Sequence, residues 1–172
     1  ATMISGDING EHIQMIRNNS HRYLGKYTAD GTMTVCQLDD NDSTKYADGT
    51  VADLTGSEGD VFMKMPNFYY RSVAESTDVW KIGFYCGDEA PNNMWVKWDG
   101  NALIGAYEAY STDSKVYSRS DVVSSGDISQ ANFKAYARNR GDGFQIVDWQ
   151  MHCIMGILYY AQYGHTNCQE KI

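Results

Sequence analysis

Proline occurs only twice in this chain of 172 residues, at Pro66 and Pro91, and no two of its four cysteines form a C-x-x-C pair. The cysteine spacings match no metal motif, so neither a zinc module nor a dithiol redox site is read from them. His12, His21, His152 and His165 also lie at no metal-ligand spacing such as H-E-x-x-H. No basic patch occurs, which argues against nucleic acid as a partner and against an anionic membrane surface. The longest apolar run, residues 153–161, falls far short of the ~20 residues that a membrane helix requires, so no membrane insertion is expected. The opening ATMISGDING has neither a basic nor an apolar leader region, so no targeting signal is read there, which is compatible with one removed earlier. There is no internal repeat and no low-complexity segment.

What the chain does have is acid, rings and glycine. The formal net charge is −8, with the acidic residues gathered in loop-like stretches such as GDING, LDDNDS and GSEGD. That balance implies solubility more than any particular partner. Aromatic residues make up 13%, with 13 Tyr and 4 Trp. Such amphipathic rings suit a contact surface, and equally a tyrosine-rich core and sheet. The length fits one domain, able to bury roughly two-thirds of its unfolded surface without staples.

Hydrophobic spacing then sets the element pattern. Residues 10–19 (GEHIQMIRNN) place Ile13 and Ile16 three apart and read as a short helix. Residues 32–38 (TMTVCQL) alternate, Met33 and Val35 against Cys36 and Leu38, and read as a strand. A polar, glycine-punctuated loop follows over residues 39–59. Residues 61–70 (VFMKMPNFYY) read as one strand, at a sheet edge or bent at Pro66, which lacks an N–H. Residues 79–86 (VWKIGFYC), 94–98 (MWVKW), 103–110 (LIGAYEAY) and 115–118 (KVYS) read as an antiparallel meander, with a turn at Asp99-Gly100.

The C-terminal third is the most informative. Ser129 is a candidate N-cap for a helix from Gln130, with Ile128 and Phe133 at the two positions of a hydrophobic staple. Gly141 supplies the stop, and Arg138 and Arg140 favour the negative end of the helix dipole. Residues 144–147 (FQIV) read as a short strand. Asp148 then caps a second helix, whose apolar positions Met151, Ile154, Met155, Leu158 and Ala161 follow the helical period up to Gly164.

At these residues a family resemblance enters. The string ARNRGDGFQIVDWQMHCIMGILYYAQYGHTNCQ resembles a segment of C-type-lectin-fold proteins of gut bacteria and their phages, among them the variable proteins of diversity-generating retroelements and the related formylglycine-generating-enzyme-like domains. The matching elements are Ala137 to Gly141, Phe144 to Val147, Asp148-Trp149, and Tyr163-Gly164 with Asn167 and Gln169. VFMKMPNFYYRS and LIGAYEAY look similar too, so the resemblance spans about residues 61–169. It implies an α+β, C-type-lectin-like fold: two helices packed on a small twisted, mainly antiparallel sheet with long loops. It implies a single domain over residues 1–172, with residues 1–60 as an N-terminal helix, strand and acidic loop. It further implies an extracellular module, on a virion or a bacterial surface, that binds a cell-surface protein or glycan without catalysis or cofactor. A homo-oligomer, such as a trimer, is compatible with that role. Family members continue past the equivalent of Gln169 into a Gly-rich segment with variable binding positions. This sequence ends at Ile172, so it reads either as a shortened version or as one with part of that face outside it.

Two other function classes stand beside this reading: a formylglycine-generating-enzyme-like enzyme, and a structural or assembly domain of a fibre. The enzyme relatives work through two cysteines near the C-terminus, where this chain has Cys153 and Cys168. A cysteine on an amphipathic helix is more often core than nucleophile. Bridges Cys86–Cys168 and Cys153–Cys168 both remain open, while Cys36 and Cys153 fit buried small hydrophobes.

The candidate ligand-binding residues are Trp95, Tyr107, Tyr163, His165, Asn167 and Gln169. Rings beside amides resemble the composition of adaptable binding loops. The plainer readings are burial for the tryptophans, which suits Trp98 better than Trp95, and a capping turn for the tail. The run Asp39-Asp40-Asn41-Asp42-Ser43 invites calcium, but Thr44 and Thr50 stand where a calcium loop needs Gly and Glu, so a solvated loop is expected. Arg140-Gly141-Asp142 spells an integrin tripeptide, yet Gly141 already has a structural use.

Overall fold

The computed structural model describes residues 10–28, 32–77 and 79–163. These form an α+β chain with three helices and nine strands, and every strand pairing is antiparallel. The strands divide among a four-stranded sheet, a three-stranded sheet and a hairpin, where the sequence suggests one small sheet. The chain separates into two compact units, each built from non-contiguous segments.

One unit comprises Ser20–Lys64 and Ala102–Ile146. Its sheet has the order β2-β1-β3-β7, from β1 (His21–Tyr27), β2 (Met33–Gln37), β3 (Asp60–Lys64) and β7 (Leu103–Gly105). β1 is absent from the sequence reading. Its segment HRYLGKY has one aliphatic residue, and pairing with β2 and β3 on both sides makes it a strand. Leu24 and Val61 are register partners and share a core with Leu38, Ala52 and Leu54, against which Tyr46 packs. The expected alternation of 32–38 buries only its end: Leu38 is fully buried, while Val35 and Cys36 are exposed.

The same unit holds the hairpin β8 (Tyr110–Thr112) and β9 (Lys115–Tyr117), turned by Asp113 and Ser114 at φ 51° and 55°. Two consecutive left-handed residues match the twist of a two-residue hairpin turn. The strand expected over 103–110 is therefore two short strands with different partners, β7 on β3 and β8 on β9. α2 (Gln130–Arg138) starts at Ser129, whose Oγ accepts from Asn132 N at 3.3 Å, and ends before Gly141 at φ +141°. A side chain at Gly141 would also meet the Tyr27 ring, with a Cβ 2.6 Å from its hydroxyl oxygen. Residues 144–147 are no strand: no ladder partner among the described residues takes up their backbone groups.

The other unit comprises Ala1–Asn19, Met65–Asn101 and Val147–Ile172. α1 (Glu11–Asn18) buries Ile13 and Ile16, as their spacing anticipates. The sheet has the order β5-β4-β6, from β4 (Phe68–Ala74), β5 (Trp80–Tyr85) and β6 (Val96–Trp98). The single strand read over 61–70 is thus two central strands, β3 and β4, in different units. Pro66 interrupts them because it cannot donate to a ladder. Phe68 anchors this unit's core, stacked on buried Trp98 at 6.3 Å and edge-on to Phe84 at 6.2 Å.

α3 (Trp149–Tyr163) is capped as its sequence suggests: Asp148 Oδ1 accepts from Met151 N at 2.8 Å. Of its expected apolar stripe only Ile154 is buried, and Met155 is exposed. Gly164 lies outside the described residues. No described helix is long and apolar enough to cross a membrane.

Candidate ligand-binding face

Strand alternation sends Phe68 inward and its neighbours Tyr69, Arg71 and Val73 to the opposite face of the β5-β4-β6 sheet. Register completes that face. Tyr69 lies opposite both Tyr85 and Lys97, Arg71 opposite Gly83, and Val73 opposite Lys81. Trp95 sits one step before β6, beside Arg71. Its six-membered ring reaches Gly83 on β5, with β4 between, so the indole crosses the middle strand. A Cβ at Gly83 would lie 2.9 Å from the Trp95 Cη2, so a glycine is what lets the ring settle there.

The rings around it are connected. Trp95 meets Tyr85 edge-on at 6.2 Å, Tyr85 tilts against Tyr69 at 6.5 Å, and His12 meets Tyr85 at 5.0 Å. The Arg71 guanidinium carbon stands 5.8 Å from the Trp95 ring centre, within the range of a cation–π contact. The Tyr69 hydroxyl donates to the Asp88 carbonyl at 3.1 Å, which ties the loop between β5 and β6 to the face. Gln150 Nε2 donates to the Lys97 carbonyl at 3.1 Å, so the start of α3 is tied to β6. Next to Gln150, Trp149 is 77% exposed and stacks on His152 at 5.7 Å.

Charge on this sheet is one-sided. β4, β5 and β6 carry Arg71, Lys81 and Lys97 and no Asp or Glu, although the chain holds 22 acidic residues against 14 Lys and Arg. Lys81 pairs with Glu75. Arg71 and Lys97 have no ion-pair partner among the described residues.

The sequence-level candidates separate. Trp95 belongs to this face. Tyr163, in the same unit, is exposed at the end of α3, with its ring 4.7 Å from Tyr159. Tyr107 belongs to the other unit; it is exposed, and its N–H donates to Ser118 Oγ at 2.9 Å. His165, Asn167 and Gln169 lie outside the described residues, as does Cys168 with both bridges considered for it. Cys36, Cys86 and Cys153 are free thiols. The residues that sequence reading did not single out are Arg71, Lys97, Tyr69, Tyr85 and Gly83. Their signal is the period-two series Tyr-x-Arg and Lys-x-Gly-x-Tyr in strands lacking acid.

Several other chemistry-bearing groups are occupied. Burial pushes the Cys86 thiol above its usual range, its Sγ donates to the His12 carbonyl at 3.4 Å, and a protonated thiol is a poor nucleophile. In the acidic loop the sequence repeats Asp-x-Thr three times, at Asp42, Asp48 and Asp53. Each Asp Oδ1 accepts from both the N–H and the hydroxyl of the Thr two residues on, at 2.6–3.2 Å. These carboxylates thus serve their own turns, and no three potential metal ligands converge among the described residues.

The tripeptide Arg140-Gly141-Asp142 is likewise structural. Arg140 lies beyond α2, not in its last turn, and is clamped inside the unit. It pairs with Asp60, donates to the Val116 carbonyl at 2.7 Å and stacks on Tyr117 at 4.2 Å. Asp60, 1% exposed, also accepts from Arg119 at 3.3 Å and from Ser118 N at 3.1 Å, and Arg119 covers the Tyr117 ring at 3.8 Å.

Comparison with protein-family models, curated proteins and solved structures returns no match.

Proposed function

We propose that this chain is a non-catalytic binding module of C-type-lectin-like fold, carried on a phage tail or a bacterial surface, that recognises a protein or glycan of another cell's surface. One observation carries the reading: the half-buried Trp95, held across the β5-β4-β6 sheet by Gly83 and flanked by Arg71 and Tyr85. A ring immobilised before the ligand arrives loses little rotamer freedom on binding, and tryptophan with arginine is the composition that dominates binding energy at interfaces. The paired strands beneath it form the rigid mount, and the loop between β5 and β6 shapes its rim. The family resemblance read from residues 137–169 supports the same class of role.

The test is binding of the purified protein to gut bacterial cells and to a glycan array, wild type against Trp95→Ala. Loss of a central anchor costs about 2 kcal/mol or more, roughly 30-fold in affinity. A Trp95→Ala protein that stays folded and binds as wild type would refute this reading.

A further inference from the structure

The charge of this face narrows its ligand. We infer that the Trp95–Arg71 face takes an acidic glycan: a sugar ring seated on the indole, with its carboxylate held by Arg71 and flanked by Lys97. This rests on the reading of the chain as a binding module and adds the ligand's chemical class.

The argument is one of complementarity. With Lys81 matched by Glu75, Arg71 and Lys97 are left as cations without a carboxylate partner among the described residues. They stand on strands without Asp or Glu, in a chain of net charge −8; the acid nearest in sequence is Asp88-Glu89, in the loop tied to the face through the Asp88 carbonyl. A guanidinium presents a planar fork of donors that matches a carboxylate's two oxygens. Beside it, the Trp95 ring offers an apolar surface to the C–H face of a sugar, while the donor next to it takes the charge. An acid group at that spot exchanges water for a charge-assisted bond.

Two competing polyanions fit less well. A nucleic acid needs cations along many phosphates. Here there are two, and the overall negative charge repels a long polyanion. An acidic peptide gains most by adding a strand to an open sheet edge. At one edge the Lys97 carbonyl on β6 already accepts from Gln150, and at the other Cys86, just beyond β5, is bonded to His12 of α1. A sugar acid asks for one ring and one fork, which is what the face supplies.

The experiment uses an array holding uronate-bearing, sialate-bearing, sulfated and neutral glycans, together with a Glu-rich peptide, probed with wild type, Arg71→Gln and Trp95→Ala. The best-bound glycan is then re-measured after chemical reduction of its carboxyl to an alcohol. The inference expects carboxylate glycans to lead the array and carboxyl reduction to weaken binding about 10-fold or more. It expects Arg71→Gln to bind the acidic and reduced forms alike, and affinity to fall as salt rises. Gly83→Val, which unseats the indole and leaves residue 71 an arginine, should weaken both forms together.

Neutral or sulfated glycans leading the array, or the peptide outbinding them, overturns the inference. So does an Arg71→Gln protein that still distinguishes the acid from its reduced form. If no glycan binds but attachment to cells still requires Trp95, the ligand class falls and the binding-module reading stands. If neither glycans nor cells depend on Trp95, both fall. Circular dichroism of each variant establishes that it is folded, and Arg71→Lys provides a variant that keeps the charge and removes the fork.

Discussion

The two units handle their polar and aromatic groups in opposite ways. In the unit built on β2-β1-β3-β7, one acidic side chain, Asp60, is turned inward. Asp60 is buried between two arginines, and those arginines close over Tyr117. In the unit built on β5-β4-β6, Arg71 and Lys97 are left without ion partners among the described residues, and the rings of Tyr69, Tyr85 and Trp95 line the sheet face beside them. Exposed large apolar side chains occur in both units: Val35, Val51, Tyr107 and Val123 in the first, and Trp80, Met94, Val96, Trp149 and Met155 among those in the second. The contrast teaches that a similar stock of residues, arginine and aromatic rings, closes one unit and leaves a face open on the other. The deciding factor is whether a carboxylate is built in beside the arginine.

That contrast can be broken most strongly at its closed end. Asp60→Ala would leave two guanidinium groups in a site made for a pair. Removing one partner of a buried pair costs about 3–5 kcal/mol. We expect a loss of stability of that size in chemical denaturation, with ligand affinity unchanged where the variant remains folded. Asp60→Ala at wild-type stability would mean that the clamp is not structural.

At the other unit's core, Phe68→Ala removes a ring that is fully buried against Trp98 and Phe84. The expected cost is ~3–5 kcal/mol, with the spread set by how far the site collapses. Trp95→Ala, on the opposite face of the same sheet, should cost well under half of that in stability while removing most of the binding. A Trp95→Ala that unfolds the protein would make the indole a core residue and erase the contrast between the sheet's two faces.

A smaller effect is expected at the helix start. Asp148→Ala deletes the acceptor for Met151 N, and loss of an N-cap costs about 1 kcal/mol. Amide exchange should quicken in the first turn of α3 and leave α2, capped by Ser129, unchanged.

The smallest effect lies in the acidic loop, and pH reads it. Hydrogen bonds from Lys45 and then Thr44 hold the Asp42 carboxyl at about 2, and those from Ser57 and then Thr55 hold Asp53 at about 2, against an ordinary 3.8. Both values are depressed in the fold. Their contribution is therefore complete above the ordinary value and is lost as pH falls from there through about 2. Carboxyl-carbon chemical shifts should titrate near 2, and Thr55→Val should raise the Asp53 midpoint. Midpoints at the ordinary value would show that these turns do not form in solution.

How much of this was legible in the linear chain varies with the range of the forces involved. The caps at Ser129 and Asp148 depend on neighbours within a few residues and are found as read. A turn does form at Asp99-Gly100, but between strands of different sheets and not within one meander, and α2 stops before Gly141 without taking in Arg140. The Asp-x-Thr turns are equally local, and they lie in the stretch expected only as a polar, solvated loop. β1 was not visible, because its seven residues acquire strand geometry only from partners at residues 33–37 and 60–64. Residues 144–147 failed in the reverse direction: an apolar run suggests a strand, and no partner receives it. The candidate site shows the same limit. Trp95 could be chosen as a ring on an alternating strand, while its setting against Arg71 and Gly83 depends on β4 and β5 lying beside it.

The amino-acid order by itself determined where α2 and α3 begin, that Pro66 disturbs a strand, and how acidic the loops are, since these follow from backbone geometry and short-range hydrogen bonds. Tertiary structure alone decided that Arg140 is locked to Asp60 while Arg71 is left beside an indole. Both arginines have the same chemistry. Whether each is neutralised depends on pairing between residues far apart in sequence, and only the folded chain brings a carboxylate to one of them among the described residues.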